Sequence, residues 1–294
     1  MCEERAQIRR TERVSTLKTR VKFGIILFAV FFGVMTFDAM LSTDIGFGCI
    51  ATIAAGMGLY EFYTIVGKGG YHPFRISGIV IGIWLFIGYW ISIHGGGGVE
   101  SNFFRKEIVL ALVFLLLLIQ AVTRGTKDAV KNISVTTFGI LYVPFLLSFA
   151  IALRRFPNGT CVVMLTLLVS KFGDIGGYLL GRKYGKHKLA RTVSPNKTIE
   201  GACFSIVFSI LVAVIFNSIP QTRVMSLQWS ALFGVVVGSF AILGDLAESL
   251  IKRDVNVKDA GNLVPTFGGV LDVVDCLLVS MPVAYYFFIF FKLV

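Results

Sequence analysis

Long apolar runs recur from one end of the chain to the other, and they restrict the fold more than any other feature of the sequence. A helix needs about 17–25 apolar residues to cross a bilayer, and nine runs approach that length. The runs are Phe23–Leu41, Ile45–Val66, Ile76–Ile93, Ile108–Val122, Ile133–Leu153, Cys161–Leu180, Ile199–Ile219, Trp229–Ala247 and Val273–Phe291. The short fourth run is expected to borrow Phe103 and Phe104, and the first two runs to form a hairpin. The sequence therefore predicts an all-α, polytopic integral membrane protein with about nine transmembrane helices.

The charged residues agree with a membrane protein. They make up 15% of the chain, against about 25% in a soluble domain. The net charge of +11 comes mainly from Lys and Arg in short loops, so we expect contacts with anionic lipid headgroups or phosphorylated substrates and none with nucleic acid. The five cysteines and three histidines show no spacing typical of a disulfide framework or a zinc site.

The distribution of Lys and Arg predicts the orientation, because these residues collect in cytoplasmic loops. With the N-terminus in the cytoplasm, 21 of the 28 fall on the cytoplasmic side and 6 on the other. The first run is longer than the apolar part of a cleavable signal peptide. We therefore predict a bacterial-type inner-membrane protein with a basic cytoplasmic N-terminal segment (residues 1–22), an N-terminal region of about five transmembrane helices (23–153) and a C-terminal catalytic region of about four (154–294).

Two cytoplasmic segments carry most of the polar chemistry. One, "GRKYGKHKLARTVSPNKTIEG", joins the sixth and seventh runs, and the other, "KRDVNVKDAGNLVPTFGGVLDVVD", leads into the ninth. Acidic residues enter the apolar runs beside both segments: Asp174, Asp245, Glu248, Asp272 and Asp275. Because ionisable residues within a membrane are costly and are functional by default, the active site is predicted at the cytoplasmic face.

The acidic residues have helical spacing. Asp272 and Asp275 are three residues apart and so share one face of a helix. The same three- and four-residue spacing relates four residues at the end of the eighth run: Asp245, Glu248, Ser249 and Lys252. Carboxylates grouped in this way suit Mg²⁺ or Mn²⁺, which take oxygen ligands and bind substrate phosphates. The alternative is an intramembrane network of ion pairs, for instance Asp272 with Lys252.

The stretch "SPNKTIEG" supplies an expected anion site. Ser194 is predicted to cap a helix whose first residue is Pro195, which places Lys197 in a first turn that favours anions. The alternative is a capped helix whose lysine only marks the cytoplasmic side. Carboxylates for metal and Lys or Arg for phosphates together indicate phosphoryl or nucleotidyl transfer to a partly lipid substrate.

These residues also resemble a known family. The stretch from Ser249 to Asp275 is similar to the signature of phosphatidate cytidylyltransferases (CDP-diacylglycerol synthases), S-x-x-K-R-x(4)-K-D-x-[GSA]-x(2)-[LIF]-[PG]-x-H-G-G-x-x-D-R-x-D. The matching residues are Ser249, Lys252, Arg253, Lys258, Asp259, Gly261, Gly268, Gly269, Asp272 and Asp275. Val264 stands where Leu, Ile or Phe is usual, Phe267 where the family has His, and Val273 where it has Arg. The resemblance extends upstream to Asp174.

The resemblance implies a reaction and a role for each matching residue. Phosphatidate and CTP would give CDP-diacylglycerol and pyrophosphate, with Mg²⁺ as cofactor and room for a second cation. The implied metal ligands are Asp245, Asp272 and Asp275, with Asp174 as a further ligand or the partner of Lys171. The implied phosphate-binding and catalytic residues are Ser194, Lys197, Lys252, Arg253 and Lys258, with Asp259 orienting Lys258 or a water. The other implied substrate-binding residues are Asn196, Ser249, Gly268 and Gly269.

Other functions stay open at this stage. A related CTP-dependent lipid kinase or an isoprenoid-lipid cytidylyltransferase could use similar residues. A secondary transporter with Asp174 and Lys171 as an ion relay is the alternative from another class, although the charges collect at one surface and not at the midplane. The expected partners are CTP, phosphatidate and the lipid bilayer, and the oligomeric state stays open, with a homodimer as one expectation.

Overall fold

The computed structural model describes residues 2–41, 43–94, 106–261, 263 and 268–293. These residues form ten α-helices: α1 (Cys2–Leu41), α2 (Ile45–Lys68), α3 (Arg75–His94), α4 (Lys106–Thr123), α5 (Ala129–Ile140), α6 (Leu146–Arg154), α7 (Gly159–Tyr184), α8 (Ile199–Ser218), α9 (Leu227–Asp254) and α10 (Val270–Phe290). A short antiparallel hairpin of β1 (Lys188–Ala190) and β2 (Ser194–Thr198) is the only sheet in the described residues.

The helices coincide with the predicted apolar runs. Eight helical segments are long and apolar enough to cross a membrane, with α5 and α6 counted as one segment. The fourth run, Ile108–Val122, falls in α4, whose apolar part among the described residues, Phe114–Thr123, is shorter than a full span. The contribution expected from Phe103 and Phe104 lies outside the described residues. The prediction of an all-α polytopic membrane protein is confirmed.

The fifth run is interrupted, which the sequence analysis did not predict. A π-helical turn, Leu141–Phe145, separates α5 from α6 and contains Pro144. Proline has no N–H to donate and its ring clashes with the preceding turn, so one wider turn accommodates it while the helix continues.

The buried face of helix α8 carries small or polar residues and its exposed face carries large apolar residues, as expected of a helix that faces lipid. Its buried residues are Gly201, Ser205, Ser209, Ala213 and Asn217. Its exposed large apolar residues are Ile199, Val207, Leu211 and Ile215. A soluble helix would show the reverse arrangement, whereas membrane helices pack through small residues.

Glycines at four-residue spacing let α7 lie directly against α8. A Cβ on Gly177 would be 3.0 Å from the carbonyl oxygen of Gly201 and 3.1 Å from the Cβ of Ser205. Gly181, one turn later, would place its Cβ 2.8 Å from the Cα of Gly201. Small residues let membrane helices approach closely and gain van der Waals contact, and here they bring the end of α7 against the start of α8.

The start of α8 differs from the prediction. Ser194 does not cap the helix; Ser194 and Pro195 lie in β2, and Thr198 is the N-cap, with its hydroxyl accepting a bond from the Gly201 N–H at 3.1 Å. The residue before a proline prefers an extended backbone, and pairing of Ser194 with Ala190 holds that conformation. Lys197 therefore lies in a strand that precedes the helix and not in its first turn.

Candidate active site

The two polar segments meet at one end of the helix bundle. Helices α7 and α9 end there, α8 and α10 begin there, and the β1–β2 hairpin lies beside the loop that follows α9. Arg253, near the end of α9, donates to the carbonyl of Val193 in the hairpin at 3.3 Å and to that of Val257 in the loop at 3.4 Å. Arg253 thus joins the two segments. The sequence alone predicted only that they lie on the same side of the membrane.

Lys197 on β2 is paired with Asp245 on α9. The Lys197 Nζ lies 2.5 Å from Asp245 Oδ2, and both side chains are partly open to solvent, at 25% and 28% exposure. Ser249, one turn further along α9, donates to the other Asp245 oxygen at 3.4 Å. A predicted phosphate-binding lysine and a predicted metal ligand are therefore direct neighbours.

Lys252 bridges α9 and α10 through two carboxylates. Its Nζ lies 2.7 Å from Glu248 Oε2 and 2.6 Å from Asp272 Oδ1. The side chains of Lys252, Glu248 and Asp272 are only 12%, 1% and 9% exposed. The ion pair between Lys252 and Asp272, which the sequence analysis held as an alternative to metal binding, is present in this structure.

The second Asp272 oxygen holds the backbone at the start of α10. Asp272 Oδ2 accepts from the N–H groups of Gly269 at 2.7 Å and Ala260 at 2.9 Å. Gly268 has a φ of +104°, and a Cβ there would collide with the same carboxylate. Gly268, which was predicted to bind substrate, therefore makes room for Asp272.

Further carboxylates lie beside these pairs, and together they form an acidic cluster of Asp174, Asp245, Glu248, Asp272 and Asp275. Asp275 interacts electrostatically with Asp245 and Asp174. The Nζ of Lys171, on α7, lies 3.9 Å from Asp275 and donates to the Val273 carbonyl at 2.6 Å. Gly244 keeps α9 close to α10, because a Cβ there would be 2.9 Å from the Asp275 carbonyl oxygen.

Asp245 and Asp272 are the residues of the acidic cluster that could hold a hard divalent cation together with substrate phosphates. Within the described residues, no group of three or more His, Cys, Asp or Glu side chains is placed to hold a metal ion by itself. Mg²⁺, however, commonly takes one or two carboxylates and completes its shell with water and substrate phosphates. Among the described residues, Glu248 Oε1 is buried and has no hydrogen-bond partner, while Oε2 is paired with Lys252, so one carboxylate oxygen of the site is without a donor or cation.

The remaining predicted residues are more peripheral. Lys258 and Asp259 are exposed on the loop after α9, and the described residues show no ion pair between them. Asn196 is exposed on β2 and Ser194 is half-buried there. Phe267 lies outside the described residues, whereas Val273 is half-buried in the first turn of α10.

One residue of the site was missed by the sequence analysis. Glu61, on α2 in the N-terminal half, is 2% exposed and accepts bonds from the Val270 and Leu271 N–H groups at 3.0 and 2.7 Å. Its position inside an apolar run was a usable signal, but its partners lie more than two hundred residues away in sequence.

Comparison with known proteins identifies the family of the chain. Residues 18–291 match the profile of the Cytidylyltransferase family. A protein named phosphatidate cytidylyltransferase from Synechocystis sp. is 27% identical over 89% of this chain and 94% of its own length. Proteins of the same name from Chlamydia pneumoniae and Bacillus subtilis are 31% and 32% identical, covering 83% and 64% of this chain and 83% and 70% of their own lengths. The chain therefore belongs to the cytidylyltransferase family.

Proposed function

We propose that this protein transfers the cytidylyl group of CTP to phosphatidate, forming CDP-diacylglycerol and pyrophosphate. The observation that carries the proposal is the pairing of two lysines with two carboxylates, Lys197 with Asp245 and Lys252 with Asp272, at one end of a membrane bundle. The relatives named phosphatidate cytidylyltransferase support the choice of lipid.

The reaction needs charge neutralisation and alignment more than covalent help from the protein. A phosphate oxygen of phosphatidate attacks the α-phosphorus of CTP. The bond from the α-phosphorus to the bridging oxygen breaks, and that oxygen leaves with the electron pair as part of pyrophosphate. Both reactants are anionic, so cations must bring them together and stabilise the leaving group.

The two lysine–carboxylate pairs are suited to an exchange of partners. A triphosphate carries more negative charge than the one carboxylate that holds Lys197 or the two that hold Lys252, so both lysines would turn to phosphate when CTP binds. Asp245 and Asp272 Oδ1 would then be free to hold Mg²⁺, with Asp275 and Asp174 as further candidate ligands. When bound, Mg²⁺ would neutralise charge on the pyrophosphate leaving group. Asp272 Oδ2 remains on the backbone of the loop.

Exposed and half-buried residues of the two segments complete the proposed substrate contacts. Arg253 and Lys258 would add positive charge along the triphosphate. Ser194 and Asn196 on the hairpin, with Ser249 on α9, would donate hydrogen bonds to phosphate or cytidine. Phosphatidate would enter from the bilayer, beside the apolar outer face of α8.

The proposal also fixes the side of the membrane. CTP is a cytoplasmic nucleotide, so the end of the bundle with the two segments must face the cytoplasm of a bacterial-type inner membrane. The excess of Lys and Arg on this side, 21 against 6 of 28, supports that orientation.

An acceptor panel tests the proposal. Purified protein in lipid nanodiscs is given CTP labelled at the α-phosphate, with phosphatidate, diacylglycerol or an isoprenoid glycerol-ether phosphate as acceptor. We expect label to enter lipid with phosphatidate, at least tenfold faster than with the ether lipid, and EDTA to abolish it. Preference for the isoprenoid lipid, or no labelling with any phosphate-bearing lipid, would contradict the proposed substrate.

A further inference from the structure

Glu61 is a carboxylate in the membrane-spanning part of α2, in the half of the chain without signature residues. It is 2% exposed and lies seven residues before the end of a span that covers Ile45–Lys68. A charged group in such surroundings is costly unless it is paired. Its location therefore requires a partner of opposite polarity.

The partner is the N-terminus of α10. The first N–H groups of a helix have no partner within the helix and form the positive end of its dipole. Glu61 Oε1 accepts from the Val270 N–H at 3.0 Å and Oε2 from the Leu271 N–H at 2.7 Å. Asp272 takes the preceding N–H, that of Gly269, at 2.7 Å. One carboxylate from the N-terminal half of the chain and one from the C-terminal half thus accept hydrogen bonds from the same helix terminus.

Glu61 also lies against two glycines of the loop between α9 and α10 (residues 255–269, here called the signature loop). A Cβ on Gly261 would be 2.7 Å from Glu61 Oε1 and 3.3 Å from the Cα of Gly269. A Cβ on Gly269 would collide with Glu61 Oε2. These two glycines leave the space that the Glu61 carboxylate occupies. The Glu61 side chain, from α2, therefore contacts both the loop and the start of α10.

We propose that Glu61 is a positioning residue for nucleotidyl transfer, an inference that rests on the proposed function. Glu61 holds the first turn of α10, and this turn carries Asp272 at its third position. Without that hold, Asp272 no longer presents Oδ1 in a fixed direction to Lys252 or to a metal ion. The N-terminal helices therefore contribute to the active site by orienting a residue of the C-terminal half.

Asp38 provides a matched control. It is 1% exposed and accepts from the Gly46 and Phe47 N–H groups at 3.0 and 2.7 Å, which are in the first turn of α2. It makes the same kind of contact as Glu61 but about 20 Å away along α2. Asp38→Asn and Glu61→Gln thus remove equivalent interactions, of which only one is near the signature loop.

The first measurement is turnover in nanodiscs, corrected for the folded fraction. We expect Glu61→Gln to lower kcat at least tenfold and to raise the Mg²⁺ concentration for half-maximal rate, while Asp38→Asn keeps kcat within about twofold of wild type. Glu61→Asp, which keeps the charge on a shorter side chain, should fall between wild type and Glu61→Gln. Equal loss of kcat in Glu61→Gln and Asp38→Asn, or unchanged kcat in Glu61→Gln, would overturn the proposal.

The second measurement does not depend on activity. Amide hydrogen exchange of the peptide covering residues 268–276 should be at least tenfold faster in Glu61→Gln than in wild type, and unchanged in Asp38→Asn. Unchanged exchange in Glu61→Gln would refute the idea that Glu61 stabilises the first turn of α10. If wild-type protein instead makes no CDP-diacylglycerol while exchange responds as expected, the proposed function fails and the structural role of Glu61 stands.

Discussion

Replacing Asp245 with asparagine separates a role in binding Mg²⁺ from a role in holding the fold. The side chain pairs with Lys197, and the two are 28% and 25% exposed. Solvent-accessible ion pairs contribute about 0.2–1 kcal/mol to stability, and asparagine keeps an oxygen that accepts from the lysine. Asp245→Asn should therefore lower the free energy of unfolding by about 1 kcal/mol or less.

The expected loss of activity is much larger than the loss of stability. If Asp245 binds Mg²⁺, removing its charge should lower kcat by about 100-fold or more, equivalent to about 2.7 kcal/mol in the activation free energy. By contrast, Asp272→Asn should lose both activity and stability. Asp272 neutralises Lys252 and accepts two backbone N–H groups, and breaking a buried pair costs about 3–5 kcal/mol.

The assay is CDP-diacylglycerol formation over a Mg²⁺ titration, together with a thermal unfolding curve of the same sample. Asp254→Asn is the matched control, because it removes the same charge from the exposed end of α9, where Asp254 accepts from the Tyr71 hydroxyl at 3.4 Å. It should keep kcat within about twofold. An Asp245→Asn protein that retains more than a third of wild-type kcat at saturating Mg²⁺ would refute the metal assignment.

Three further predictions concern orientation, signature departures and helix packing. A cysteine introduced as Lys186→Cys in a cysteine-free chain should resist a membrane-impermeant reagent applied outside intact cells, and efficient labelling would invert the orientation. Wild-type protein should be active although Phe267 and Val273 replace the His and Arg of the signature, since each lost phosphate contact costs about 1.5–3 kcal/mol, which lowers the rate without abolishing it. Synthesis that appears only in the Phe267→His, Val273→Arg double variant would show that those groups are essential. Gly177→Leu should lower the thermal midpoint by several degrees because it separates α7 from α8, whereas Gly33→Leu, with open space around the Cβ position, should leave it unchanged.

The membrane spans could be predicted from the sequence because hydropathy reports directly on each segment. Interruptions inside a span could not be predicted in the same way. The π-helical turn at Pro144 leaves the apolar pattern intact, since it changes the hydrogen bonding of the helix and not its residues. The start of α8 was misplaced because Ser194 and Thr198 are both good N-caps, and the choice between them depends on strand pairing with Lys188–Ala190.

The members of the site could be predicted in part. Asp245, Lys252 and Asp272 were found from helical spacing and from a resemblance, because both are local patterns. The pairing of Lys197 with Asp245 depends on how close two distant segments lie, which spacing does not report. Glu61 belongs to the site only through contacts with α10, so no local pattern could have linked it to the signature loop.

The most direct measurement of the central claim follows each phosphate of CTP to its product. Purified wild-type protein in phosphatidate-containing nanodiscs is supplied with Mg²⁺ and CTP in two parallel reactions, one labelled at the α-phosphate and one at the γ-phosphate. Cytidylyl transfer predicts that the α-label enters the lipid, that the γ-label appears in pyrophosphate, and that one pyrophosphate is released for each lipid formed. Entry of the γ-label into lipid, with CDP as the released nucleotide, would show a lipid kinase and contradict the account.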